Sequence, residues 1–112
     1  MSNILSWEDF HQVELRVGTI CSSEVFSQAR TPAYRLIIDF GPLGQKKSSA
    51  QLTEQYTPEA LIGKQVVAVV NFPPKQIANF MSECLVLGVV GDAKGVVLLT
   101  TDIEVENGLR IA

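Results

Sequence analysis

Val13-Glu-Leu-Arg-Val-Gly-Thr-Ile20 is the stretch on which the architecture turns. Val13, Leu15 and Val17 fall on one side and Glu14 and Arg16 on the other, the period of two expected of a half-buried strand. Beyond Gly18 the apolar set continues on even numbers with Ile20. A one-residue slip of phase at a glycine predicts a β-bulge, which bends and re-aims a long strand. A long, bent first strand lets a small barrel serve two of its sides at once.

Upstream, Ser6-Trp-Glu-Asp9 fits a capping box and predicts a short helix or turn through about His11. Downstream, Tyr34, Leu36, Ile38 and Phe40 alternate with Arg35, Ile37 and Asp39, a second strand, and Gly41-Pro-Leu-Gly44 is a turn. Gln45 to Leu52 reads as a third strand of unusual polarity. Thr57 as cap, Pro58 at the first helical position, Glu59 in the first turn and Gly63 at the end define a short helix over 58–62. Lys64 to Asn71 is a fourth strand whose continuous run, Val66 to Val70, predicts burial on both faces. Cys84–Val90 and Gly95–Leu99 read as two further strands joined by a hairpin at Gly91-Asp-Ala-Lys94, and Asn107-Gly108 marks a turn.

Three strands, a helix, then further strands is the order of an OB-fold. The expectation is an all-β, five-stranded Greek-key barrel with a short helix between strands 3 and 4. Residues 1–112 form a single domain, because a chain of 112 residues supports one modest core. Residues 1–12 and about 100–112 are terminal extensions too small to fold alone. Trp7, Phe10, Ile103, Val105 and Ile111 in those pieces are candidates for a symmetric contact between two subunits.

An apolar fraction of 46% argues against disorder, and a net charge of -3 argues against a generally basic nucleic-acid binder, so any RNA contact would need a local patch. Cys21 and Cys84 are far apart, which disfavours a disulfide framework or zinc site and predicts two reduced, partly buried thiols. The first residues lack the pattern of a signal peptide, and no apolar run approaches the roughly 20 residues that span a bilayer. A soluble, cytoplasmic protein without membrane insertion is expected. His11, the one histidine, has no paired nucleophile in view, and no elbow, phosphate loop or dinucleotide fingerprint is present. We therefore expect no catalytic residue, metal or cofactor, and a protein that is not an enzyme.

The segment from Asn71 to Leu87 is too long and apolar for a mere connection, and its double proline stiffens it. Phe72, Ile77, Phe80 and Met81, with Phe26, are candidates to line an apolar peptide groove; methionine there would add adaptability. Lys46, Lys47, Ser48, Ser49 and Gln51 place donors along strand 3, with Arg16 facing the same groove. Tyr56, Phe72 and Phe80 are candidate stacking platforms for nucleic acid. The plainer alternative is a solvated strand face over ordinary core aromatics.

Val13-Glu-Leu-Arg-Val-Gly-Thr-Ile20, Ser48-Ser-Ala-Gln-Leu-Thr53 and Asn71-Phe-Pro-Pro-Lys-Gln-Ile-Ala-Asn-Phe-Met-Ser-Glu83 together resemble the tRNA-binding domain family of OB-folds. Within it, Asn-Phe-Pro-Pro and the later Leu-Val-Leu-Gly resemble the CsaA-type export-related chaperones. The resemblance implies a homodimer held by the terminal additions, with affinity for unfolded preproteins or peptides on their way to export. It also implies a fold shared with domains that grip the outer corner of tRNA, where Asn71, Lys75, Ser82 and Glu83 would help form the RNA-facing site. One departure is Asn79-Phe80-Met81, where relatives often carry a glycine and then a basic residue. The loop is thereby more apolar, which favours peptide over RNA. The leading expectation is a non-catalytic chaperone whose Lys75 and Arg16 meet polar or acidic client groups, with Phe80→Asp weakening capture and sparing the fold. The alternative is a tRNA-binding protein, and a docking module for a synthetase or the export machinery is a third possibility.

Overall fold

The computed structural model describes residues 3–91, 93 and 95–112. Helix α1 (Trp7–Gln12) leads into strands β1 (Leu15–Val25), β2 (Tyr34–Asp39) and β3 (Gln45–Ala50), with a single 3-10 turn at Gly41–Leu43 between β2 and β3. Helix α2 (Pro58–Leu61) precedes β4 (Gln65–Val69), and the short strands β5 (Lys75–Ile77), β6 (Phe80–Ser82), β7 (Leu85–Val86), β8 (Gly88–Val89), β9 (Val97–Leu98) and β10 (Arg110–Ile111) follow. The main sheet runs β3-β2-β1-β4-β7, with β10 added to β1. All its pairings are antiparallel.

Local sequence explains the best-formed elements. Ser6 Oγ accepts the Asp9 N–H at the start of α1, and Thr57 Oγ1 accepts the Ala60 N–H at the start of α2. The β2 alternation holds: Tyr34, Leu36 and Ile38 are buried and Arg35, Ile37 and Asp39 half-buried. The inward set joins Ile20, Phe40, Leu52, Leu61, Val66, Ala68 and Cys84 in one core. Each fully buried large aliphatic or aromatic side chain there contributes roughly 1.5–3 kcal/mol. Leu61 is fully buried, so α2 closes one end of the barrel with its side chain. β4 is buried along Val66–Val69, as a strand covered on both faces must be.

The bulge is real but lies beyond Gly18. Between Leu15 and Thr19, β1 pairs with β4 in unbroken register, and the shift against β2 falls between Ile20 and Ser22. Gly18 has a different cause: a Cβ there would sit 2.6 Å from Ile38 and 2.7 Å from Phe40, so close approach of β2 requires glycine. Cys21, the residue at the shift, is exposed, not partly buried as expected, and its Sγ donates to the Ile37 carbonyl at 3.2 Å. Cys84 is buried, and desolvation pushes its thiol up to about 11.

Bent β1 meets the C-terminal segment and β2 in succession. Leu15 and Arg16 pair with Ile111 and Arg110, whereas Thr19 onward pairs with β2. Strand β10 and the β5–β6 hairpin are additions to the expected plan. The Cys84–Val90 segment is two short strands: β7 pairs with β4, and β8 then pairs with β9. Of the predicted hairpin connection, Asp92 and Lys94 lie outside the described residues. Among the described residues no helix is long and apolar enough to cross a membrane.

Candidate ligand-binding groove

Barrel closure positions the site. β3 would otherwise be an open edge, and residues 82–84 satisfy it largely with side chains. The Glu83 N–H donates to the Lys47 carbonyl at 2.7 Å, while Glu83 Oε1 accepts the Lys47 N–H at 2.8 Å. Ser82 Oγ accepts the Ser49 N–H at 3.1 Å, and the fully buried Ser48 donates its hydroxyl to the Cys84 carbonyl at 3.1 Å. This seam carries the β5–β6 hairpin out from the barrel wall. The hairpin's barrel-facing ring, Phe80, meets the buried Phe26 edge-on at 5.4 Å, with the Lys47 ammonium 5.3 Å from the Phe80 centroid.

Between the seam and the proline-stiffened segment lies a groove of about 660 Å³. Phe72, Pro73, Pro74 and Ile77 line it together with Ser49, Gln51 and Leu85. Phe72 is 54% exposed and Leu85 48%, so both offer apolar area to a ligand. A second compartment of about 430 Å³ shares Ser49, Gln51, Lys75 and Ile77 and extends to Gln28, Arg30 and Thr31 of the β1–β2 connection. Its lining contains two cations and no carboxylate.

The expected site residues separate on this geometry. Phe72, Ile77, Ser49, Lys75, Ser82 and Glu83 line the larger compartment. Phe80 is half-buried on Phe26, so it braces the hairpin from behind, and Met81 is on β6 outside both linings. Phe26 is 2% exposed and offers nothing to a ligand. Lys46 and Lys47 are neighbours on a strand and face opposite ways. Arg16 lies at the other end of β1, its guanidinium bound to Glu14 at 2.7 Å and to the Gly108 carbonyl at 3.0 Å. Asn71 ties the N-terminal arm to β4, accepting the Glu14 N–H at 3.0 Å and donating to the Gln12 carbonyl at 2.7 Å. Tyr56 is occupied too: its hydroxyl accepts the Leu98 N–H at 3.0 Å.

Arg30 and Leu85 were missed. Arg30 is a lone charge in a loop, and only the hairpin folded across from it makes it part of a compartment. Leu85 belongs to an apolar run that reads as core, and no local signal turns it outward.

Outside the groove lining, the C-terminal segment is strapped to β4 by Gln65. Its amide donates to the Val105 carbonyl at 2.7 Å, and its oxygen accepts from the Val105 N–H and the Thr101 hydroxyl, both at 3.1 Å. Held this way, Ile103 is 72% exposed, and Trp7 on α1 is 83% exposed. Phe10, Val105 and Ile111 are half-buried against their own chain. Asp102 and Glu104 flank Ile103 in the chain, Glu106 follows two residues on, and none of the three lines the groove.

Among the described residues no group of three histidine, cysteine or acidic side chains could hold a metal ion. The arrangement is suited to holding a ligand. A family model described as "Putative tRNA binding domain" matches residues 15–110. A methionine–tRNA ligase of Archaeoglobus fulgidus is 36% identical over 107 residues, which is 96% of this chain and 16% of the ligase. The chain therefore spans about a sixth of that relative's length. The crystal structure of the chaperone CsaA from Bacillus anthracis superposes with a TM-score of 0.92 at 56% identity, covering 97% of this chain and 99% of the other. That of the CsaA chaperone from Picrophilus torridus gives 0.92 at 50% identity, covering 97% and 100%. The chain belongs to the tRNA-binding domain family, as a CsaA-type member.

Proposed function

We propose that the chain is a non-catalytic chaperone of the cytoplasm that captures unfolded segments of preproteins bound for export. The observation that carries this reading is the 660 Å³ groove with the exposed Phe72 ring and a wall of two prolines. Prolines fix the backbone of that wall, so little conformational entropy is lost when an apolar side chain docks. The similarity to CsaA chaperones over nearly their whole length supports the same reading. Release follows from modest affinity and hand-over to the export machinery.

Phe72→Asp is the cleaner test than Phe80→Asp, because Phe80 holds the hairpin to Phe26. Titrated with an unfolded preprotein, Phe72→Asp should bind at least about tenfold more weakly than wild type, a loss of about 1.4 kcal/mol, at an unchanged melting temperature. Equal affinity in a well-folded variant would refute capture at this groove.

A second reading, tRNA binding at the same face, draws support from the family model and the cationic second compartment. It predicts affinity for tRNA that falls steeply with salt through counterion release. Absence of any complex with tRNA at low salt would eliminate it. We further propose a homodimer through the surface of Trp7 and Ile103, whose exposed apolar area is suited to a second copy.

A further inference from the structure

We infer that the second compartment selects for acidic residues beside an apolar anchor, so that the preferred ligand is an extended peptide in which aspartate or glutamate lies near a large apolar side chain. The inference rests on the capture reading above and names the chemistry of its ligand. Arg30 and Lys75 line the compartment together, both exposed. The ion pairs among the described residues are Arg16–Glu14 and Arg35–Glu24, so neither cation of the compartment is neutralised there. The one carboxylate at the groove, Glu83, belongs to the apolar compartment and accepts the Lys47 N–H. Ser49, Gln51, Lys75 and Ile77 are common to both compartments, so the apolar one adjoins the cationic one and a single extended chain can reach both.

The hairpin makes an extended backbone the fitting occupant. β5 pairs with β6 on one edge only. In an antiparallel hairpin whose turn is Ala78-Asn79, the ladder alternation leaves the Gln76 N–H and carbonyl on the outer edge, and Gln76 is among the residues lining the second compartment. An added strand can bond there. Pro73 and Pro74, with no N–H, confine such pairing to this short stretch.

The test uses the wild-type chain and three extended peptides identical except at two positions near a phenylalanine anchor, occupied by Asp, Asn or Lys. Fluorescence anisotropy at low salt should rank them Asp, Asn, Lys, with the Asp peptide about three- to fivefold tighter than the Asn peptide, a contrast that shrinks as salt screens it. Arg30→Glu should invert the order, and Arg30→Gln should flatten it, with melting temperatures unchanged because Arg30 is exposed. Equal affinities in wild type, or a ranking that survives Arg30→Glu, would overturn the acidic preference while leaving capture standing. Failure of all three peptides to bind would overturn both. A single-stranded oligonucleotide that outcompetes the Asp peptide and is lost in Arg30→Glu would give the compartment to phosphate and end the proposal.

Discussion

Among the regions that leave large apolar side chains in water, the groove and the terminal pieces are built differently. Around the groove, Phe72 and Leu85 flank a hollow with a proline wall, and the charges at the second compartment are the cations Lys75 and Arg30. Around the termini, Trp7 and Ile103 project from pieces strapped to the barrel, among Glu8, Asp9, Asp102, Glu104 and Glu106. A hollow receives single side chains of a flexible ligand, whereas a projecting pair needs a preformed surface to cover it. On the reading proposed above, the same hydrophobic driving force serves a flexible ligand at the groove and a second copy of the chain at the termini, where the neighbouring charges are of opposite sign.

The comparison can be broken most sharply at the termini. Trp7→Asp together with Ile103→Asp should weaken self-association at least about hundredfold, since each places a charge where apolar area would be buried, while affinity for a short peptide stays unchanged. Sedimentation of wild type and variant measures the first and anisotropy the second. A wild type that is monomeric at micromolar concentration would remove the terminal surface from the argument. At the groove, Phe80→Ala should cost about 2 kcal/mol of stability, roughly half the value for a fully buried phenylalanine, because it undoes the contact with Phe26 and loosens the wall. Urea unfolding measures it, and no change would mean that the hairpin is held by the seam alone. The smallest effect is expected at the hairpin tip, where Ala78 has φ +51°. Ala78→Gly should relieve that strain and stabilise the chain by about 0.5–1 kcal/mol.

How far these surfaces were legible in the chain depends on how local their causes are. The caps at Ser6 and Thr57 and the alternation of β2 act within a few residues, so they could be read directly. The bulge was placed at Gly18 because Val17 and Gly18 are both buried, on opposite faces, and alternation cannot separate that from a slip. Gly18 is fixed by Ile38 and Phe40, which only the folded sheet brings near. The β5–β6 hairpin gave no signal because its strands have three residues each and its turn lacks glycine. Phe72, read as a peptide-binding candidate, and Lys75, read as an RNA-facing one, both lie in the groove lining, while Arg16 and Asn71 are occupied in tying the termini to the barrel. Charge and polarity are visible in a sequence; whether a polar group is already satisfied is a property of the fold.

The most direct measurement is amide chemical-shift mapping of the wild-type chain titrated with an unfolded, phenylalanine-containing peptide. The account predicts shifts concentrated at residues 72–77 and 82–85, reaching Arg30, with residues 3–13 and 101–106 silent. Shifts confined to the terminal residues, with the groove unmoved, would contradict it.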